Sequence, residues 1–138
     1  MLASSMSMAR TAERSNVRSL RPIRLLLAGR DARYLRAMSF LFERRGYETR
    51  VTFRPASLLA DAQAFRPEVV LLVEGNSFGD AVGQAMALIT TDDRLSVVLA
   101  TSRSDAPDSD QLRFVRKWES FALLAAAVER AWADLPPR

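Results

Sequence analysis

Short apolar runs alternate with stretches of helical periodicity along the chain from Pro22 onward. The apolar runs, together with one stretch of alternating polarity, predict five β-strands at residues 23–28, 47–53, 68–73, 96–100 and 112–116. The most apolar of them, 68–73, is typical of a parallel strand that is buried on both faces of its sheet. The pattern therefore predicts an α/β fold with a doubly wound, parallel (βα)5 sheet of five strands.

The predicted helices differ in how clearly the sequence marks them. The first ends at Gly46, the second begins at Pro55, and Ser120 is placed to cap the last. Residues 102–110 are polar and have no apolar helical face, so we expect helix 4 to be shortened or missing. The apolar helical positions predicted to face the core are Tyr34, Leu35, Met38, Leu41, Phe42, Leu58, Leu59, Ala62, Phe65, Val82, Ala85, Met86, Ile89, Phe121, Leu124, Val128, Ala131 and Trp132.

Composition limits the chemistry that this fold can perform. The chain has 138 residues, of which 49% are apolar, so it is long enough for one domain with a hydrophobic core. It contains no cysteine and no histidine, which removes thiol nucleophiles, disulfides, histidine-based acid–base catalysis and the common zinc and haem ligands. Any chemistry must therefore use carboxylates, hydroxyls, lysine or arginine. No spacing of these residues specifies a site, so we predict no catalytic residue, no metal and no cofactor. Among the 20 basic residues, Lys117 is the single lysine.

The positive charge is concentrated at the start of the chain. The formal net charge is +4, of which residues 1–22 contribute +3 and residues 23–138 contribute +1. We expect residues 1–21 to form a disordered basic N-terminal tail, residues 22–134 the folded domain and residues 135–138 a C-terminal tail. The tail lacks the apolar core of a signal peptide and the chain lacks a membrane span, so we expect a cytoplasmic protein. It also lacks the elements that read bases, so we do not expect specific nucleic-acid binding.

Residues 22–133 resemble the receiver domain of bacterial two-component response regulators, a flavodoxin-like fold with its functional site at the carboxyl ends of the strands. Residues 66–72 (RPEVVLL) are close to the family's R-P-D-L-V-L-L entry into the third strand. Thr101 closes the fourth strand, and residues 114–117 (FVRK) resemble the family's aromatic-x-x-Lys in the fifth. The resemblance thus implies a receiver-like domain over 22–134.

The positions that carry the family's chemistry differ in this chain. Gly29 and Arg30 stand where receivers have two adjacent acidic residues that hold Mg²⁺, with Asp31 beside them. Val73 stands at the position of the phospho-accepting aspartate, and Glu74 follows one residue later. Neither glycine nor arginine supplies an anionic oxygen ligand, and valine cannot accept phosphate. The resemblance therefore implies a degenerate phosphorylation site.

Other positions of this site keep the residue types of the family. Lys117 matches the lysine that contacts the phosphoryl group in receivers; here it either pairs with Glu74 or Asp31 or is a solvated cation. Arg30 either serves as an internal counter-ion at the vacated metal position or is an exposed loop residue. Thr101 and Phe114 match the pair that moves on activation, and the alternative is that both are packing residues at strand ends. The candidate interface with another protein comprises Trp118, Ala125, Ala127 and Arg130.

These observations predict a pseudo-receiver in bacterial signal transduction that acts through protein–protein interaction rather than by phosphorylation. Its partner would be another protein or a second copy in a homodimer, and we do not expect an enzyme. One alternative is a small α/β ligand- or nucleotide-binding domain that uses Asp31, Glu74 and Lys117 at the carboxyl edge of the sheet. Another is a nucleic-acid accessory protein that uses the arginine-rich tail.

Overall fold

The computed structural model describes residues 21–103 and 108–135, which form five strands and four α-helices. Of the predicted tails, 1–21 and 135–138, residues 1–20 and 136–138 lie outside the described residues. Leu135, at the predicted domain boundary, is buried, so the fold extends through this residue. The strands are β1 (Arg24–Ala28), β2 (Glu48–Thr52), β3 (Val69–Val73), β4 (Ser96–Thr101) and β5 (Leu112–Arg116). The helices are α1 (Ala32–Arg44), α2 (Leu58–Phe65), α3 (Phe78–Thr91) and α4 (Phe121–Ala133), with a 3₁₀ turn at Pro55–Ser57 ahead of α2.

The strands form one parallel sheet in the order β2-β1-β3-β4-β5. This order confirms the predicted doubly wound, flavodoxin-like arrangement, in which the chain starts near the centre of the sheet and winds outward in both directions. Every residue of β3 and β4 is buried, as expected for central parallel strands. All carboxyl ends of the strands therefore lie at one edge of the sheet, where the predicted site residues are placed.

Alternating side chains of the strands pack into two separate cores, one on each side of the sheet. On one side, α1 and α4 cover residues such as Leu27, Leu71 and Val98. On the other, α2 and α3 cover residues such as Val70 and Leu99. We call these the α1/α4 side and the α2/α3 side.

No helix occurs among the described residues between β4 and β5, as the prediction of a shortened or missing helix 4 requires. The α2/α3 side therefore has no third helix in the described structure. Two positions predicted to face the core do not: Leu59 is exposed, and Met86 is 49% exposed. Both lie on the outer flanks of their helices, where the helical spacing alone did not separate the flank from the buried centre.

Side-chain caps fix where three helices begin, which in turn positions the loops at the carboxyl edge. The carboxylate of Asp31 accepts a hydrogen bond from the Tyr34 backbone N–H at 3.1 Å at the start of α1. Ser77 caps α3, and Ser120 caps α4 as predicted. In the described part of the chain, no helix is both long and apolar enough to cross a bilayer.

Candidate functional site

The ends of β1 and β3 meet at the carboxyl edge and bring two predicted site positions into contact. Gly29 directly follows β1, and Val73 is the last residue of β3. A Cβ atom built on Gly29 would lie 3.2 Å from the Cβ atom of Val73, which is tighter than an ordinary van der Waals contact. Val73 is only 8% exposed. This half of the edge is therefore closely packed and apolar, and it offers no oxygen ligand at either position.

Arg30 extends away from this contact and across the loop that follows β3. Its Nη1 atom donates a hydrogen bond to Oδ1 of Asn76 at 3.0 Å, and its side chain lies against Gly75. A Cβ atom on Gly75 would lie 3.4 Å from the Arg30 Cδ atom, so the glycine allows this close approach. Arg30 is an exposed residue that holds the loop. Asn76 was missed by sequence reasoning, because a polar loop residue carries no signal of its partner.

Asp31 serves as the N-cap of α1, and the structure does not bring its carboxylate together with Glu74 or Lys117 among the contacts of the described residues. Within the described residues, no cluster of three or more acidic side chains has the arrangement of a metal site. The structure thus shows a capping role for Asp31.

Glu74 lies in the other half of the edge, next to the end of β4. Its backbone N–H donates to the Ala100 carbonyl at 2.8 Å, which continues the β3–β4 pairing by one residue and sets Glu74 opposite Thr101. The Oε1 atom of Glu74 accepts hydrogen bonds from the Thr101 hydroxyl at 2.7 Å, the Ser102 backbone N–H at 3.0 Å and the Ser102 hydroxyl at 3.4 Å. Thr101 is fully buried, so this carboxylate satisfies a hydroxyl that water cannot reach.

These contacts favour the ionised form of Glu74. Partial burial acts to raise the pKa of this carboxyl group, but it is outweighed by the backbone N–H of Ser102, the hydroxyl of Thr101, the positive charge of Lys117 and the hydroxyl of Ser102. The net result is a pKa below the usual value for glutamate. Glu74 is therefore a carboxylate held by hydrogen bonds at the end of the sheet.

Lys117 follows β5, and its backbone N–H donates to the Thr101 carbonyl at 2.7 Å. Its Nζ atom lies 5.5 Å from the centre of the Trp118 ring, at the distance of a cation–π contact. No ion pair between Lys117 and Glu74 or Asp31 occurs in the described part of the chain. The structure thus supports an electrostatic influence of Lys117 on Glu74, but it does not show the predicted direct pair.

Thr101 and Phe114, the predicted switch pair, make different contacts. The Thr101 hydroxyl bonds to Glu74 and accepts from the Arg103 backbone N–H at 3.1 Å. Phe114 stacks on Phe78, with ring centres 6.0 Å apart, and packs against the core of the α2/α3 side. Both residues are thus held by contacts within the fold.

The predicted interface residues divide into exposed and buried positions. Trp118 is 61% exposed, has a positive φ of 66° and meets the ring of Tyr34 edge-on at 4.9 Å. Arg130 is exposed and Ala127 is half-buried. Ala125 is 0% exposed, so its assignment to a surface is wrong: it packs in the core of the α1/α4 side.

Leu123 is an exposed apolar residue of α4 that the sequence reasoning missed. Its spacing from Ala127 and Arg130 places the three on one face of the helix, and this spacing was the signal that could have found it. An exposed bulky residue in left-handed backbone conformation, such as Trp118, is uncommon.

A cavity of about 480 Å³ opens at the carboxyl edge beside the loop held by Arg30. It lies between the start of α2 and the face of α3, above the ends of β1 and β3. Its walls include Gly29, Arg30, Phe53, Arg54, Asn76 and Gln84. Arg30 and Arg54 thus both line this cavity, and Arg30 stands at one of the two positions where the resemblance had implied a magnesium-binding acidic residue.

No family model matches the chain, and no curated protein matches it. Solved structures do match. The receiver domain of a signal transduction histidine kinase from Syntrophus aciditrophicus superposes with a TM-score of 0.69 at 17% identity, covering 83% of this chain and 93% of that one. The chemotaxis protein CheY4 of Vibrio cholerae has a TM-score of 0.68 at 15% identity and covers 80% and 98%.

A response regulator receiver domain from Bacillus halodurans gives a TM-score of 0.65 at 15% identity, covering 86% of this chain and all of that one. At these identities the likeness establishes the fold. The chain has the fold of response regulator receiver domains.

Proposed function

We propose that this protein is a degenerate receiver domain of bacterial two-component signalling that acts through contact with another protein and does not accept phosphate. The observation that carries the proposal is the contact between Gly29 and Val73. In the receiver fold these positions hold a metal-binding carboxylate and the phospho-acceptor, and here they hold a hydrogen atom and an apolar side chain. The proposal assigns no enzymatic activity and no cofactor.

Glu74 does not replace the acceptor in this proposal. Its Oε1 atom accepts hydrogen bonds from Thr101 and Ser102, which hold the carboxylate at the end of β4. The nearest alternative carboxylate, Asp31, caps α1. Among the described residues, no group of three or more acidic side chains is placed to hold Mg²⁺ at either carboxylate. A phosphoryl donor would therefore find no carboxylate at the acceptor position and no adjacent acidic pair to hold Mg²⁺.

The proposed contact surface comprises Trp118, Leu123, Ala127 and Arg130, which we call the Trp118 surface. Exposed aromatic and arginine side chains are the residue types that most often dominate binding energy at protein interfaces. The proposal includes a cytoplasmic location, with another protein or a second copy of the chain as the partner. Specific nucleic-acid binding is not part of it, and the arginine-rich tail that would support such binding lies outside the described residues.

The proposal is tested by phosphorylation chemistry on the full chain. We expect no mass increase after incubation with acetyl phosphate and Mg²⁺, and no change in amide NMR shifts with beryllium fluoride and Mg²⁺. A receiver domain that accepts phosphate serves as the positive control under the same conditions. A stoichiometric adduct on Glu74 or Asp31 would overturn the proposal.

The Trp118 surface is tested separately with two matched variants. Trp118→Ser removes an exposed aromatic residue from this surface, and Phe40→Ser removes an equally exposed one from α1. We expect a partner recovered by affinity purification from the native host, or self-association measured by light scattering, to be lost with Trp118→Ser and kept with Phe40→Ser. Equal loss with both variants would contradict this assignment.

A second candidate function is favoured by the cavity above β1 and β3. Ligands of doubly wound α/β folds bind in the crevice at the carboxyl ends of the strands, and Arg30 and Arg54 favour an anion there. A thermal-shift series with nucleoside di- and triphosphates would test it, with Arg54→Ala as the site variant and Arg94→Ala as a control outside the cavity. A ligand that stabilises the wild type and Arg94→Ala but not Arg54→Ala would establish this function.

A further inference from the structure

The α2/α3 side of the sheet carries a stripe of apolar side chains that no described helix covers. On α3, Phe78, Val82, Met86 and Ile89 follow one another at helical spacing along the flank that faces β4 and β5. Phe114 of β5 stacks on Phe78 and continues the stripe onto the sheet. All five are partly or largely exposed, and Met86 is 49% exposed. We call these five residues the open face.

The open face lies where a helix between β4 and β5 would pack in a complete (βα)5 arrangement. Such a helix would cover the outer part of this flank of α3, where Phe78, Val82 and Ile89 are half-buried and Met86 is exposed in the described structure. Contiguous exposed apolar surface of this kind marks a site that another segment or molecule covers.

Four acidic residues, three of them exposed, border the open face at the amino edge of the sheet. Asp92 and Asp93 follow α3, and Asp108 and Asp110 precede β5. The side chain of Gln111 ties these two turns together, because its Nε2 atom donates to the carbonyls of Asp93 and Leu95 at 2.9 and 3.0 Å. We call the four aspartates the acidic border.

The two ends of the open face therefore differ in charge. At the carboxyl end, the guanidinium of Arg103 lies 4.8 Å from the centre of the Phe78 ring. At the amino end lies the acidic border, with four aspartates. Arg94, in the turn that contains Asp92 and Asp93, is a cation beside them. A covering segment that combines apolar and basic residues would match the open face if its basic groups lay at the amino edge.

Residues 1–20 have this composition and join the fold at this edge. They include Leu2, Met6, Met8, Val17 and Leu20, together with Arg10, Arg14 and Arg18 against the single acidic residue Glu13. Methionine side chains adapt to irregular apolar surfaces. The chain enters the described structure at Arg21, three residues before β1 begins at the amino edge.

The distance to the open face is short for a segment of this length. In the sheet order, β3 and β4 follow β1, and neighbouring strands lie about 4.8 Å apart. The lateral distance from β1 to the junction of β4 and β5 is thus roughly 12 Å. Twenty extended residues span up to roughly 66 Å, so residues 1–20 can reach the acidic border and continue along the open face.

We propose that residues 1–20 dock on the open face of the same chain, with their apolar side chains on Val82, Met86 and Phe114 and their arginines at the acidic border. This segment then takes the place of the missing helix. It replaces the expectation of an unstructured lead-in, and it does not depend on the proposed signalling function.

The absence of native cysteine permits a direct test in the full chain by paramagnetic relaxation enhancement. A nitroxide attached to Ser7→Cys is expected to broaden the amide signals of Val82–Ile89 and of Phe114 to less than half their intensity. A label on Arg44→Cys, on the α1/α4 side, serves as the control and should leave those signals unchanged. Absence of broadening on the open face by the Ser7→Cys label would overturn the proposal.

Charge reversal separates the acidic border from non-specific contact. The variant Arg10→Glu/Arg14→Glu/Arg18→Glu should lose the broadening, and combining it with Asp92→Arg/Asp93→Arg/Asp110→Arg should restore it. Met86→Asp changes only the apolar open face and should weaken the broadening. Phe40→Asp, which changes an exposed residue of α1, should not weaken it. Failure of the reversed charges to restore the contact would refute the role of the acidic border.

A mixed sample distinguishes docking within one chain from docking between two. Isotope-labelled chain without a nitroxide is mixed with unlabelled chain that carries the nitroxide. We expect no broadening of the open face in this mixture. Broadening here would show that the segment docks on a second copy and would overturn the proposal for the same chain.

Discussion

Over the ends of β1 and β3, the carboxyl edge holds Gly29 and Val73 in close apolar contact, whereas over the ends of β3 and β4 it holds Glu74 in hydrogen bonds to Thr101 and Ser102. In the proposed degenerate receiver, both halves lie at positions of the phosphorylation site. The first half has no side-chain oxygen at Gly29 or Val73. The second retains a carboxylate, a hydroxyl and the nearby charge of Lys117.

The difference follows from what each half contributes to folding. The close packing of Gly29 against Val73 leaves no polar side chain at these two positions that would need a partner. Thr101 is fully buried, so its hydroxyl needs a partner whether or not the site is active. Glu74 supplies that partner. Under the proposed function, Glu74 would thus have a structural role in a site that does not accept phosphate.

The largest effect is expected from placing a carboxylate in the apolar half. Val73→Asp puts a charge at a position that is 8% exposed and next to Gly29, which offers no partner. We expect the free energy of unfolding to fall by about 3 kcal/mol at pH 7, measured by urea denaturation. Burial should raise the pKa of the new carboxyl group, so the loss is present above the ordinary aspartate pKa and diminishes at lower pH.

Val73→Asn is the matched control, since it has nearly the same shape as aspartate and no charge. The two variants should have similar stability at low pH and diverge as the pH rises. If Val73→Asp is as stable as Val73→Asn at pH 7, a cation such as Lys117 or Arg30 reaches the position. The half of the edge around Gly29 and Val73 could then hold a charged carboxylate, and it would not differ from the Glu74 half in the way described above.

A smaller effect is expected from removing the hydroxyl in the other half. Thr101→Val keeps the shape of the side chain but removes the 2.7 Å hydrogen bond to the ionised Glu74. Hydrogen bonds to charged groups contribute more than neutral ones, so we expect a loss of about 2 kcal/mol in the free energy of unfolding. Thr90→Val, an exposed threonine whose hydroxyl bonds within α3, should cost less than about 0.5 kcal/mol. Equal effects of the two variants would mean that the Glu74 contact adds no stability.

The same two halves show what could be predicted from the sequence. The five strands and the meeting of Gly29, Val73, Glu74 and Thr101 at one edge follow from apolar runs and from parallel strand order. The direction in which the Glu74 side chain points does not follow from these patterns. Side chains alternate along a strand, so Glu74 points to the opposite side from Val73, and only the β3–β4 register sets it opposite Thr101.

Two further contacts depend on packing that no local pattern encodes. Ala125 lies in a run of three alanines, and the rotation of α4 about Leu124 and Val128 decides which of them is buried. Arg30 bonds to Asn76, 46 positions away along the chain, because the loop after β3 passes over Gly75. Long flexible side chains choose among several partners within reach, and the sequence does not rank them.

The smallest of the three effects concerns the charge of Glu74, because this carboxylate is only partly buried. Its pKa is lowered in the folded chain, so its contribution to stability is fully present above the ordinary glutamate value of 4.5 and is lost as the pH falls through the lowered pKa. We therefore expect the stability difference between the wild type and Glu74→Gln to shrink steadily below pH 4.5. Lys117→Met should raise the pKa of Glu74, followed by NMR titration of its side-chain carboxyl carbon, with little change in stability at pH 7 because no direct ion pair is broken. If the difference in the free energy of unfolding between the wild type and Glu74→Gln stays constant across this pH range, the charge of Glu74 does not contribute to stability. The two halves of the edge would then not differ in this respect.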